Sequence, residues 1–382
     1  MKTMLERQNV FISDVMKVAS TPIIYIGRIW GLFPFTIEKR GHYFTLRWSQ
    51  KYSLYSLLVG AALVILTIHG MVNDLLAGST KSIRMKQQTG KYVTIGDISI
   101  VVLIVFVGIF GIPFRIQDFF SYVDAINEVD SIIVISDAKR ARRVSILRLF
   151  TVLTAATAIL ISDLLMWWTI GDRSQGSDFL IGNYVPFYIS YYVVLLLECQ
   201  YWHLLYCIKR RLNLLNGCLK ISGVTPEDAI RGVINKPFSI FRKTQKSVPK
   251  VISVIDAIGR QKTIIILTSC LLHLVVTPYF LVLEIMGRRN VLVATIQMVW
   301  IVTHLIRLVI IRMKPLICKL LCYDFDEGTK KQLELFATEL NHRQIEFTAC
   351  GLVKIDRALI TSIAGAVTTY LVILIQFQKN DK

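Results

Sequence analysis

An all-α membrane protein of seven transmembrane helices is the fold class that this sequence predicts, on three observations. The 382 residues are 54% hydrophobic and only 18% charged, where a soluble domain carries about 25% charged residues. Seven stretches are long and apolar enough to cross ~30 Å of hydrocarbon. The 44 Lys and Arg residues collect in alternate connections between those stretches. A net charge of +18 would point to nucleic acid in a soluble protein. Here the cations lie in loops between apolar runs, so they set orientation in a bilayer and exclude a nucleic-acid partner.

The elements follow in order. No long apolar run begins before Tyr52, too late for a cleavable signal, so residues 1–51 are expected to form a cytoplasmic N-terminal segment. Spans one to four are placed at 52–76, 95–118, 145–170 and 183–208, together making a bundle over 52–208. A cytoplasmic helical connection covers 209–260. Spans five and six are placed at 261–287 and 290–316, within 261–316. A second cytoplasmic region covers 317–350, the seventh span 351–377 and an extracellular tail 378–382. The seventh span contains Arg357, Thr361, Ser362, Thr368 and Thr369, polarity that lipid-facing helices avoid, so it is expected to face protein or water.

Direction follows from charge. The N-terminal segment and the even-numbered connections, with the span ends adjoining them, hold 31 Lys and Arg; the odd-numbered connections and the tail hold 9. The positive-inside rule then puts the N-terminus in the cytoplasm and the C-terminus outside. This is the reverse of a G-protein-coupled receptor. Cys199, Cys207, Cys218, Cys270, Cys318, Cys322 and Cys350 all fall in spans or on the inner side, so no extracellular disulfide is available. The stretch from Pro186 to Lys220 is helix-compatible and at 1.5 Å per residue runs ~52 Å, beyond the membrane. Thr225-Pro226-Glu227-Asp228 reads as a helix start. Leu333, Phe336, Ala337 and Leu340 give an amphipathic face.

Two constellations are candidates for function. Ser362, Thr369 and Gln376 recur at a spacing that returns to one helix face, with Gly365, Ala366, Val372 and Ile373 between them. The small or polar stripe serves a water-lined surface, and the same spacing serves close helix packing. The outer ends of other spans carry Asp163, Trp167 and Trp168, Tyr184, Tyr188 and Tyr191 at i, i+4 and i+7, then Glu284, Gln297 and Trp300. Aromatic groups with a few polar ones form a small-molecule pocket, and the same residue types form interfacial belts. His203, His273 and His304 read as isolated in different spans. No metal-ligand spacing, nucleophile and base constellation or cofactor motif is present, so neither a metal, a cofactor nor an enzyme is expected.

The last span ends Thr369-Tyr370-Leu371-Val372-Ile373-Leu374-Ile375-Gln376-Phe377. This resembles the Thr-Tyr, five hydrophobics, Gln-Phe signature of the insect gustatory receptors. Glu346-Phe347-Thr348-Ala349-Cys350-Gly351-Leu352 and Ile355-Asp356-Arg357 also resemble the family's approach to that span. Gly27-Arg28-Ile29-Trp30-Gly31-Leu32-Phe33-Pro34-Phe35 resembles its Gly-x-x-Pro approach to the first. The resemblance implies a ligand-gated, weakly selective cation channel in the plasma membrane of a sensory neuron, opened by an extracellular tastant. It implies a homotetramer in membrane lipid, or a heteromer with related receptors. The seventh span would line the pore, with Gln376 and Phe377 at the gate, Val372 and Ile373 beneath, and Thr369, Tyr370 and Ser362 lower on the same helix. The first four spans would form the outer ligand-binding bundle, and 317–350 the cytoplasmic anchor. The Phe-Thr-Ala-Cys-Gly approach is more similar to the bitter and fructose-type branches than to the sweet or carbon-dioxide ones. The aromatic pocket list favours a plant secondary, bitter compound over a sugar such as fructose. A metabotropic receptor and a secondary transporter are the alternatives.

Overall fold

The computed structural model describes residues 9–40, 43–81, 88–132, 138–170, 176–221, 273–282 and 291–310. It also describes Ser269, Cys270, Ile285, Thr348, Ala349, Val353, Lys354, Ser362, Gly365, Thr368, Thr369, Val372, Ile373 and Gln376.

The chain opens with elements that the span reading leaves unassigned. Strand β1 (Asn9–Ile12) leads into helix α1 (Asp14–Ile29), followed by strands β2 (Phe35–Arg40) and β3 (Tyr43–Trp48). The three strands form an antiparallel sheet of order β1-β3-β2. Helix α1 ends at Gly31, whose φ is +70°. The Gly31 N–H donates to the Arg28 carbonyl at 3.1 Å and the Leu32 N–H to the Gly27 carbonyl at 2.7 Å. This paired ending needs one left-handed residue, which glycine supplies without a Cβ clash. A Cβ there would also stand 3.0 Å from the Ser56 Cα, so the same glycine admits the first long helix. Phe35 then packs on Phe33, Trp48, Phe119 and Phe120, which seats the sheet on the bundle.

The bundle comprises α2 (Gln50–Lys81), α3 (Gln88–Phe110), α4 (Ile116–Ile132), α5 (Ala138–Ile170) and α6 (Gly176–Ile221). Two further helices are α7 (His273–Val282) and α8 (Val291–Ile310). Gln50–Ala77, Lys91–Phe110 and Arg142–Met166 are long and apolar enough to cross a membrane. Leu58, Ile65, Leu103, Phe106, Leu147, Phe150 and Leu165 are exposed on these helices, as a lipid-facing surface requires. Helix α6 is the longest, 46 residues or ~69 Å at 1.5 Å per residue. It is packed by α1, α2, α3 and α5, and Tyr184, Ser190, Val193, Leu196 and Glu198 along it are buried. Burial among neighbours explains why this helix tolerates more polarity than those facing lipid.

Lipid tails are as apolar as leucine, so small residues and hydrogen bonds fix how such helices meet. A Cβ on Gly70 of α2 would come 2.6 Å from the backbone oxygen of Asn183. One turn away, the Thr67 hydroxyl lies 2.8 Å from the Ser190 hydroxyl and 3.2 Å from the Pro186 carbonyl. These contacts set the α2–α6 crossing. At the other end of α6, the Arg211 guanidinium donates to both oxygens of Asp130 on α4, at 2.6 and 2.7 Å. A third bond reaches the Cys207 carbonyl at 2.9 Å. The Ser13 hydroxyl donates to the same carboxylate, and the Ser13 N–H to Asn127 Oδ1 at 2.9 Å. Burial works against the Arg211 charge, but the bonds and charge of Asp130 outweigh it and hold the cation above its usual range. The latch joins the start of α1, α4 and the extension of α6.

Several sequence expectations are corrected. The second span does not run to residue 118: helix α3 stops at Phe110, and Pro113–Arg115 form a 3₁₀ turn before α4. Proline cannot donate to the helix ladder, and the Arg115 guanidinium instead serves the carbonyls of Val107 and Gly111. The last span does not begin as a helix at 351. Val353–Lys354 pair antiparallel with Thr348–Ala349 as β5 and β4, and the first described helical residue beyond is Ser362. The 225–228 helix start and the 333–340 amphipathic run lie outside the described residues.

Candidate functional site

At the end of the bundle away from the sheet, five helices each turn one polar face inward. Helix α3 contributes Thr94 and Asp97, α5 Leu160 and Asp163, and α6 Phe187, Tyr188 and Tyr191. Helix α7 contributes His273, Val276, Thr277 and Phe280, and α8 contributes Gln297, Trp300 and His304. Each set recurs at helical spacing, so each is a single stripe. Together they enclose a cavity of about 90 Å³.

The cavity has an aromatic wall and a hydrogen-bonding wall. The His273 and His304 rings stack with centroids 4.7 Å apart, and His304 stacks on Trp300 at 5.6 Å. Tyr191 stands edge-on to both His273 and Trp300, at 5.3 Å from each. On the polar side, the Tyr188 hydroxyl donates to the buried Asp163 carboxylate. His273 Nδ1 lies 2.6 Å from the Ser269 carbonyl; a carbonyl only accepts, so Nδ1 carries the proton. His273 Nε2 then faces Asp97 Oδ1 at 3.0 Å. That approach lacks hydrogen-bond alignment, and both atoms are buried with no aligned partner among the described residues. An unsatisfied buried polar atom costs about 1–3 kcal/mol.

The sequence-derived candidates divide. Asp163, Tyr188, Tyr191, Gln297 and Trp300 come together around this cavity. Tyr184 is buried one turn of α6 from it, and Trp168 is 45% exposed, on the outer surface of α5. Trp167 lies in α5 with its side chain outside the described set, and Glu284 is outside it altogether. Sequence reasoning missed Thr94, Asp97, Thr277, His273 and His304. It took the histidines as isolated, whereas the structure stacks His273 on His304 beside Asp97. The available signal was helical spacing of polar residues inside apolar spans: Thr94-x-x-Asp97, His273-x-x-x-Thr277 and Gln297-x-x-Trp300-x-x-x-His304.

In the last span every described residue (Ser362, Gly365, Thr368, Thr369, Val372, Ile373 and Gln376) is helical and exposed. Val372 and Ile373 remain 47% and 38% exposed, and a Cβ on Gly365 would meet nothing within 4 Å. The Thr369 hydroxyl is turned back onto the Gly365 carbonyl at 2.9 Å. Tyr370 and Phe377 lie outside the described residues. Among the described residues no cluster of His, Cys, Asp and Glu forms a metal site, and Cys199, Cys207 and Cys270 are buried thiols outside any disulfide.

A bundle of apolar helices around a polar and aromatic cavity is the architecture of a multi-pass membrane protein. The chain belongs to the 7tm chemosensory receptor family, whose model matches residues 21–381. It is a chemoreceptor of insect type in the plasma membrane, and the family is not one of enzymes. The Drosophila melanogaster gustatory receptor for sugar taste 43a is 26% identical over 422 residues, covering 95% of this chain and 98% of that one. The putative gustatory receptor 28b of the same organism is 52% identical over 52 residues, 14% of this chain and 11% of that one. The insect olfactory receptor OR5 from Machilis hrabei superposes with a TM-score of 0.62 at 13% identity, over 96% of this chain and 100% of that one. Its complex with eugenol superposes with a TM-score of 0.59 at 13% identity, again over 96% and 100%.

Proposed function

We propose that this protein is a ligand-gated, weakly selective cation channel opened from outside by a small polyhydroxylated compound of the sugar type. The observation that carries the ligand class is the contact of buried His273 with half-buried Asp97 on the cavity wall, their facing atoms without an aligned partner among the described residues. Asp163, Gln297, Thr94 and Thr277 line the same cavity, and the Trp300–His304–His273 stack adds an aromatic surface to it. Hydroxyl groups need several convergent donors and acceptors, and the apolar face of a sugar ring needs a flat aromatic surface. Both are present. The relative named for sugar taste supports the same reading. The bitter compound favoured by the aromatic candidates alone becomes the second reading, because it brings fewer hydroxyl groups to the polar side of the cavity.

The channel half of the reading rests on the last span. Its described stripe is exposed in the single chain, which suits a helix that meets copies of itself around an axis. In a fourfold assembly, with the N-terminus inside, Ser362, Thr369 and Gln376 would line water, and Val372 and Ile373 would form an apolar ring that gates by dewetting. A ring of Gln376 amides hydrates cations without selecting strongly among them. Phe377 would occlude the closed pore, and opening would bring Gln376 toward the axis. Phe377→Ala is expected to raise basal current, and Gln376→Ala to change relative cation permeability without moving the half-activating ligand concentration. Unchanged basal and evoked currents in both variants would remove the gate from this helix end.

A further inference from the structure

We propose that a second cavity, at the sheet end of the bundle, is a binding site for a small uncharged ring compound bearing one hydroxyl, the phenol class. This cavity measures about 110 Å³ and lies where α1, the sheet, the start of α4 and the middle of α6 meet. It is separate from the polar cavity: the two share no lining residue, and their nearest walls on α6, Tyr191 and Leu197, are six residues apart, or ~9 Å along a helix. Its walls are almost wholly apolar, with Ile23, Leu32, Phe35, Phe119, Leu197 and Leu204 among them. An apolar cavity of ~150 Å³ stays dry and admits benzene, so this one is of the right order for a single ring.

One edge is polar. The Ser20 hydroxyl lies 3.0 Å from His203 Nε2, and the Ser145 hydroxyl lies 3.3 Å from His203 Nδ1. The ring nitrogens are therefore both engaged. The Gln200 side chain lines the cavity with no hydrogen bond to a described residue, and its Nε2 would stand 2.7 Å from a Cβ on Gly27. Glycine at 27 is what lets the amide sit there. The amide offers N–H donors and an acceptor oxygen at the edge of an apolar space, where a ligand hydroxyl finds a partner. On the wall, Arg115 donates from Nε to the Gly111 carbonyl and from Nη2 to those of Val107 and Gly108, so most of its charge is turned back onto the end of α3.

The test uses the purified full-length chain in lipid nanodiscs, titrated with 4-fluorophenol and with fluorobenzene and followed by fluorine NMR. One saturable site per chain is expected, roughly tenfold tighter for 4-fluorophenol than for fluorobenzene. Leu204→Trp, which fills the cavity, abolishes the saturable component. Gln200→Leu, which changes little volume, removes the tenfold preference and leaves fluorobenzene binding in place. Asp163→Asn, in the other cavity, changes neither. Saturable binding that survives Leu204→Trp, a preference that survives Gln200→Leu, or loss of binding in Asp163→Asn would overturn the assignment. Because the readout is binding and not current, the result stands apart from the channel proposal.

Discussion

Removing the Arg211 guanidinium puts the sharpest number on the end of the bundle where α4, α6 and the start of α1 meet. Both side chains of the Arg211–Asp130 pair are 6% exposed, so the pair is desolvated and screened little by salt. Arg211→Leu strips two charge-assisted bonds from Asp130 and one from the Cys207 carbonyl. It leaves a buried carboxylate whose remaining side-chain donor is the Ser13 hydroxyl. Breaking such a pair by removing one partner costs about 3–5 kcal/mol. At ~2–4 °C per kcal/mol for domains of 150–250 residues, the apparent melting temperature falls by about 6–20 °C. The double variant Asp130→Leu/Arg211→Leu removes both charges together, and replacing a whole buried pair by apolar groups is often close to neutral. It is therefore expected to recover most of the loss. The assay is thermal unfolding of the detergent-solubilised chain, followed by intrinsic fluorescence, for the parent, the two single variants and the double. A single variant within about 1 °C of the parent, or a double variant no better than the worse single, would refute the reasoning.

Other outcomes follow from particular contacts. Gly70→Val places side-chain carbon against the Asn183 backbone, where a Cβ already meets oxygen at 2.6 Å. Overpacking of this kind costs about 1–3 kcal/mol, and surface expression and melting temperature should fall together, whereas Gly182→Ala, with nothing within 4 Å, should leave both unchanged. Tyr122 is buried, and burial pushes its hydroxyl well above the ordinary value of 10.0. The unfolded chain ionises first, so stability is intact below pH 10 and is lost as pH rises beyond it; melting temperatures from pH 8 to 11 should show this slope in the parent and a flatter one in Tyr122→Phe. Asp163→Asn weakens a carboxylate–hydroxyl bond to the ligand worth about 1.5–3 kcal/mol, so the half-activating concentration should rise roughly 10- to 100-fold with maximal current preserved.

Much of the fold was legible because hydropathy is a local property. The apolar runs that became α2, α3 and α5 are visible residue by residue, and the far reach of α6 follows from the scarcity of breakers after Pro186, whereas its start at Gly176, with Pro186 inside the helix, does not. The N-terminal sheet was not visible as span-length apolarity, since β2 and β3 are each six residues long and mix Glu38, Lys39, Arg40 and Arg47 with apolar residues. The break at Pro113 was masked by the apolar residues around it, although Pro113 itself was the signal. Within the site, Asp163, Tyr188 and Trp300 were found one helix at a time. The Asp97–His273 contact was not, because it joins residues on different helices whose meeting depends on how α3 and α7 rotate about their axes. Taking the residues singly gave an aromatic list and a bitter ligand; assembling the five stripes adds the hydroxyl partners whose absence had counted against a sugar.

The central claim is met most directly by whole-cell current from this chain expressed alone, with G-protein signalling blocked, while sugars including fructose and a panel of plant bitter compounds are applied outside. A sugar should evoke a prompt, weakly selective cation current that Asp97→Asn shifts to higher concentration. Opening by bitter compounds alone, with every sugar silent at confirmed surface expression, would contradict the ligand class, and currents that need intact G-protein signalling would contradict the channel.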